Sequence, residues 1–200
     1  MSLYAAEYLW RPEVGLAVAL TMTRSAGLSG VLSCTIADQA LAGNDPRVSV
    51  NVDADLLEPT LARALVRSSG QHAHRLIIEI GEGTELHPQW YDACIILCSA
   101  GIMLAVDDAG TAYADVARIQ MLRPQLVKLD RSLLAPTAAN RAQPLIAMAH
   151  QVGARVIAEG VENVYDLTRA HAMGVDAVQG FMINRIPCLA SAARVVASTG

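Results

Sequence analysis

The 200-residue sequence has no run long enough to cross a bilayer. Its longest nearly apolar stretch, Ala93 to Val106, is 14 residues and carries Ser and Gly, where a spanning helix needs about 20. Charge is scarce too: 17% of residues are charged against 53% hydrophobic. That excludes a disordered or collagen-like chain and implies one sizeable buried core. A net charge of −4 excludes the footprint of a general nucleic-acid binder. No C-x-x-C pair or dense framework occurs among Cys34, Cys94, Cys98 and Cys188, so reduced, buried thiols and a cytoplasmic setting are expected. No basic segment leads into an apolar stretch at the start, and secretion is not indicated. No glycine-rich loop of the P-loop or dinucleotide type is present. Lysine is almost missing: Lys128 stands alone beside 14 Arg. Arg cannot replace Lys where a compact ammonium is required, so the single Lys points to a chemical need.

What is there alternates. Strand candidates are Val48–Asn51, Leu76–Ile80, Ile102–Val106, Leu126–Leu129, Arg155–Ala158 and Asp176–Gln179. Between them lie helical stretches at Ala54–Arg67, Pro88–Ala100, Tyr113–Leu122, Asn140–Val152 and Val164–Met173. Four helices are followed by Gly70, Gly101, Gly153 and Gly174, as expected of left-handed C-caps. Repeated βα units predict a parallel sheet with helices outside. A first strand within Leu3–Leu9, helices at Leu16–Arg24 and Leu28–Leu41, and a closing helix at Leu189–Ser198 complete one α/β domain over 1–200. That makes seven strands, one fewer than a closed (β/α)8 barrel.

In such barrels chemistry gathers at the C-terminal strand ends. Those ends read Asn51, Glu79, Asp107-Asp108, Lys128, Glu159 and Gln179. Oxygen ligands without His or Cys suit hard cations such as Mg²⁺ or Mn²⁺. The Asp107-Asp108 pair suits two ions that clamp the attacking and leaving oxygens of a phosphoester. Several positions also have a plain structural explanation, though Glu79 in an apolar strand needs a partner. Asn51 and Asn163 could cap helices, Lys128 could pair with Asp130 or a neighbouring carboxylate, and Glu159-Gly160-Val161-Glu162 could be a polar loop. Cys94 and Cys98, at i and i+4, read as a core face, and the five His are scattered.

Taken together, the segments VSVNVD around Asn51, IIEIGE around Glu79, DDAGTAY at 107–113, VKLD at 127–130, IAEGVEN at 157–163 and VQGF at 178–181 resemble the EAL domain family. Its members are phosphodiesterases that open cyclic di-GMP, a bacterial second messenger, to linear pGpG. The resemblance implies a modified (β/α)8 barrel whose first strand is antiparallel, and here the strand that should precede Glu7 is missing. The naming motif Glu-x-Leu-x-Arg falls on Glu7-Tyr8-Leu9-Trp10-Arg11, with Tyr8 in place of the usual Ala. A second alignment puts the family Trp on Trp10 and leaves Ala5 where the metal-binding Glu belongs.

By this resemblance Glu7, Asn51, Glu79 and Asp107 bind metal, and Asp108 serves a second ion, Mg²⁺ or Mn²⁺. Lys128 and Glu159 position or activate the attacking water. Gln179, Arg11 and Pro187 line the substrate groove, and Glu82 steadies the loop after Asp107-Asp108. The loop departs from the family at Ala109 and Ala112, replacing Phe and a second Gly, and Ala costs conformational freedom wherever φ must be positive. Met1-Ser2-Leu3 reads as an expression-vector start. The implied partners are cyclic di-GMP, a second copy in a homodimer, and flanking sensory or GGDEF domains. The competing function is a catalytically silent EAL-like module that binds cyclic di-GMP or a protein partner.

Overall fold

Short runs of Val, Ile and Leu form the sheet because both of its faces are covered. The computed structural model describes residues 5–8, 16–81, 87–111 and 115–184. Seven strands lie in the order of the sequence: β1 (Ala6–Tyr8), β2 (Val48–Val52), β3 (Leu76–Ile80), β4 (Met103–Ala109), β5 (Leu126–Leu129), β6 (Arg155–Ala158) and β7 (Ala177–Val178). Every pairing between neighbours is parallel. Helices α1 (Leu16–Ser25) and α2 (Ser29–Leu41) link β1 to β2. The crossovers that follow are α3 (Pro59–Ser69), α4 (Gln89–Ser99), α5 (Asp115–Leu122), α6 (Ala139–Val152) and α7 (Val164–Met173), and α8 (Phe181–Asn184) follows β7. The expected barrel-like α/β architecture is therefore present, with no antiparallel strand among the described residues.

The helices form for local reasons. In α3, Pro59 occupies the first turn, where its missing N–H costs nothing, and Leu61, Ala62 and Leu65 make a buried stripe. The helix expected over Ala54–Arg67 splits: Ala54–Leu56 is a separate 3-10 turn. Glu58 precedes Pro59 and is extended, with φ −126° and ψ 162°, because proline crowds the residue before it out of the helical region. Asn163 caps α7, accepting from the Asp166 amide at 3.0 Å. The anticipated closing helix at Leu189–Ser198 lies outside the described residues. Among the described residues no helix is long and apolar enough to cross a membrane.

Two apolar layers result. The larger lies between sheet and helices. The smaller plugs the barrel interior: Ile77, Ala105 and Leu126, with Ala5, Met103 and Ile157 packed against them. The thiols are less uniform than expected. Cys94 is buried, Cys34 half-buried and Cys98 exposed. Cys34 packs against the edge of the core and Cys94 within it, and burial pushes the Cys94 thiol up to about 12, leaving it unreactive.

Candidate metal centre

Side chains two apart on a strand share a face, and that rule builds the site from the plug. Two residues beyond Ala5, Ile77, Ala105, Leu126 and Ile157 come Glu7, Glu79, Asp107, Lys128 and Glu159. Polar side chains thus form the next layer, directly above a dry floor. Glu79 and Lys128 lie inside their strands, as expected, and β4 runs three residues further than expected, so Asp107 and Asp108 also belong to it.

Lys128 is the centre of the layer. Its Nζ lies 2.9 Å from Glu79 Oε2, 2.8 Å from Asp107 Oδ1, 2.9 Å from Glu159 Oε1 and 4.0 Å from Glu7 Oε2. Only 4% of the Lys side chain is exposed. Glu7 Oε2 accepts from Gln179 Nε2 at 2.9 Å, and Glu7 Oε1 accepts from Asn51 Nδ2 at 3.4 Å. Of the two alignments of the naming motif, the geometry follows the one that uses Glu7: its carboxylate lies in the polar layer, while Ala5 packs in the apolar plug.

Of the plain structural alternatives, Asn163 does cap its helix and Lys128 does pair with neighbouring carboxylates, while two others fall to different residues. Asp53, not Asn51, caps the turn that follows β2, accepting from the Asp55 amide. Asp130 accepts from the Ser132 amide at 2.9 Å and is not the partner of Lys128.

Asp107 and Asp108 are both usable because of a bulge. Between β4 and β5 the register moves from Val106↔Val127 to Ala109↔Leu129, one residue more on β4 than on β5. Asp108 takes up the excess with φ 50°, a left-handed conformation that Asp tolerates better than most residues. Such bulges re-aim side chains beside active sites. Carboxylate oxygens of Asp107, Asp108 and Glu159 all come within 4.8 Å of one another.

The bulge is tied down by groups that the motif comparison did not single out. Asp115 Oδ2 accepts from the Gly110 amide at 2.7 Å. Arg118, 1% exposed, lies 3.8 Å from Asp115 and donates to the Gly81 carbonyl at 3.4 Å, just beyond Glu79. Gly110 has φ 109°, and a Cβ there would meet Leu133 at 2.3 Å. The substituted loop thus keeps the one glycine that packing demands, and Ala109 is fully buried. A signal for Arg118 existed: Asp115, Arg118, Ile119 and Leu122 follow the i, i+3, i+4, i+7 spacing of a buried stripe. Arg11, Glu82, Ala112 and Pro187 lie outside the described residues.

Electrostatics set the character of the site. Glu79 is pushed up to about 7, by burial first; Lys128 pulls it down, while Glu7 and Asp107 raise it. Glu159 is likewise pushed up to about 7, by burial, against Lys128 and with Asp107. Burial alone would lower Lys128, but the surrounding carboxylates outweigh it and hold the ammonium well above its ordinary value. One cation therefore faces more carboxylate than it can neutralise. Asp107 Oδ1 is buried, with the Lys128 ammonium 2.8 Å away as its neighbour. Surplus negative charge and an all-oxygen donor set, with Asp107, Asp108 and Glu159 close together, fit a hard divalent cation.

The comparisons agree with this geometry. The EAL domain family model matches residues 16–185, and the chain belongs to that family. Glu7 precedes the matched stretch. Over 151 residues the chain is 28% identical to the probable cyclic di-GMP phosphodiesterase PdeA of Escherichia coli, covering 70% of this chain and 21% of that protein. Over 90 residues it is 34% identical to the cyclic di-GMP phosphodiesterase NbdA of Pseudomonas aeruginosa, covering 42% of this chain and 12% of NbdA. The Bacillus subtilis YkuI protein, solved with cyclic di-GMP and calcium, superposes with a TM-score of 0.62 at 26% identity, over 73% of this chain and 39% of that one. The Xanthomonas citri FimX EAL domain, solved with cyclic di-GMP, shares the fold at a TM-score of 0.74 and 16% identity, over 91% and 81% of the two chains. Matches to three curated relatives span 13%, 12% and 20% of their lengths.

Proposed function

We propose that this domain is a metal-dependent phosphodiesterase that hydrolyses cyclic di-GMP to pGpG. The observation that carries the proposal is the Lys128 ammonium enclosed by Glu79, Asp107 and Glu159, with Glu7 at the edge. Glu7, Asn51, Glu79 and Asp107 would hold one divalent cation, Mg²⁺ or Mn²⁺, and Asp108 would contribute to a second. Bound there, the cations would stabilise charge on the phosphate and lower the pKa of the attacking water.

The chain's own residues supply the rest. Glu159, poised near neutrality, is suited as the base that takes the proton of the attacking water, since a catalytic base works best near the operating pH. Lys128 stays charged, keeps Glu159 oriented from 2.9 Å, and offsets phosphate charge. The water oxygen bonds to one phosphorus, and the 3′ oxygen leaves and gains a proton. Gln179 holds Glu7 in place, and Arg11 and Pro187 would line the nucleotide groove.

The test is incubation with cyclic di-GMP, with and without Mg²⁺ or Mn²⁺, following pGpG by chromatography beside Glu7→Ala and Lys128→Ala. Metal-dependent product that both variants lose is the expected result. Binding of the dinucleotide without product would overturn the hydrolase and leave a sensor.

A further inference from the structure

Glu7 is carried by a short edge strand. β1 has three residues, and among the described residues its backbone pairs on one side only, with β2. Few backbone bonds leave such a segment prone to local opening. The next residue along, Tyr8, points to the opposite face by strand alternation and packs against the larger core.

Its hydroxyl enters a shaped socket. Tyr8 Oη donates to Asp45 Oδ2 at 3.1 Å. A Cβ on Gly43 would stand 2.9 Å from that hydroxyl, so a side chain at residue 43 would crowd the phenol out of its present position. Arg75 fixes the socket wall, donating to the carbonyls of Leu41 at 3.2 Å, Gly43 at 2.7 Å and Asp45 at 2.7 Å. Burial, then Asp45, raises the phenol above its ordinary value, and it remains a donor at neutral pH. An Ala at position 8, as the family motif has it, could reach none of these groups.

We infer that Tyr8 is a positioning residue for the metal centre: its hydroxyl, seated between Gly43 and Asp45, locks β1 in place so that Glu7 reaches the carboxylate layer. The inference rests on the metal-dependent reading above for what Glu7 does, but the anchoring itself does not. Asn51 and Gln179 hold the carboxylate from within the mouth, and the Tyr8 socket holds the strand from the helix side.

The test uses Tyr8→Phe, which removes only the hydroxyl, alone and combined with Glu7→Gln, and Gly43→Ala, which fills the socket. Amide hydrogen exchange over residues 6–8 of the metal-free protein reads the anchor, and Mn²⁺ titration followed by electron paramagnetic resonance reads the site. Exchange is expected to rise roughly tenfold in Tyr8→Phe on loss of a hydrogen bond to a charged acceptor, and in Gly43→Ala as well. Mn²⁺ affinity is expected to fall roughly tenfold in Tyr8→Phe, with no further loss when the substitution is added to Glu7→Gln. Unchanged exchange at residues 6–8 would overturn the inference. So would an equal loss of affinity in both backgrounds, the mark of a general structural role. Wild-type protein that binds no Mn²⁺ would overturn the metal reading and the role of Glu7 in it, whereas faster exchange in the same Tyr8→Phe sample would uphold the anchor.

Discussion

Gln179 Nε2 donates to Glu7 Oε2 at 2.9 Å, joining residues 172 positions apart. The bond links the last strand to the first where no backbone ladder does so among the described residues. A side-chain pair therefore closes the polar layer, and one of its members is a candidate ligand. Removing a group that orients a metal ligand typically costs 10–100-fold in affinity or activity. Gln179→Leu should lower Mn²⁺ affinity in that range while the far-ultraviolet circular dichroism stays that of the wild type. Titration with the ion, monitored calorimetrically, checks it, and unchanged affinity would remove Gln179 from the site.

Lys128 balances the charge of the carboxylates around it. With Lys128→Met, Glu79, Asp107 and Glu159 lose their shared counter-ion. Breaking one side of a buried ionic cluster costs about 3–5 kcal/mol. The metal-free variant should lose about that much stability at pH 8, and the gap to wild type should narrow toward pH 5 as the carboxylates protonate. Urea denaturation at the two pH values measures it. A gap that does not depend on pH would mean packing, not charge, is the cause.

The raised carboxylates give the wild-type protein its own pH signature. Glu79 and Glu159 are pushed up to about 7 from 4.5, so between those values the folded state binds more protons than the unfolded chain. Stability from these groups is then fully present below about pH 4.5 and lost as pH rises through about 7. Metal-free protein should melt at higher temperature at pH 5.5 than at pH 8. Divalent cations compete with those protons, so their stabilising effect should be larger at pH 8, and proton release should accompany binding near neutrality. Melting curves with EDTA and with Mn²⁺ test both statements; metal-free stability that rises from pH 5.5 to 8 would contradict them.

Much of this was legible in the residues, for identifiable reasons. Apolar runs ending in one acid, amide or amine gave away the polar layer because side chains alternate with a period of two, so the residue after a plug position on the same face is fixed. The single Lys advertised itself by composition and sits at the centre of the cluster. What stayed hidden depends on register or distance. The bulge at Asp107-Asp108 exists only relative to β5, and no local pattern announces it. The choice between Glu7 and Ala5 is a one-strand phase question, on which it bears that Glu7 meets Gln179 and Ala5 meets the plug. Tyr8 read as a departure from a motif, and its purpose emerged only with Gly43, Asp45 and Arg75 beside it.

The tether beneath the bulge separates stability from site geometry. Asp115 holds the Gly110 amide, and Arg118 joins Asp115 to the Gly81 carbonyl, with both side chains about fully buried. Losing one partner strands the other in a dry environment, so Asp115→Ala should cost about 3–5 kcal/mol. Replacing both members of such a pair with apolar residues of similar size is often neutral, and Asp115→Leu with Arg118→Met should recover most of that stability. It cannot restore the acceptor for Gly110, and the loop carrying Asp107 and Asp108 loses a fixed point. The double variant is thus expected to fold nearly as well as wild type but to bind Mn²⁺ roughly tenfold more weakly. Urea denaturation and Mn²⁺ titration on the same samples decide it. A double variant with wild-type metal affinity would make the pair a fold element alone, whereas recovered stability with weakened binding would tie Asp115 and Arg118 to the metal centre.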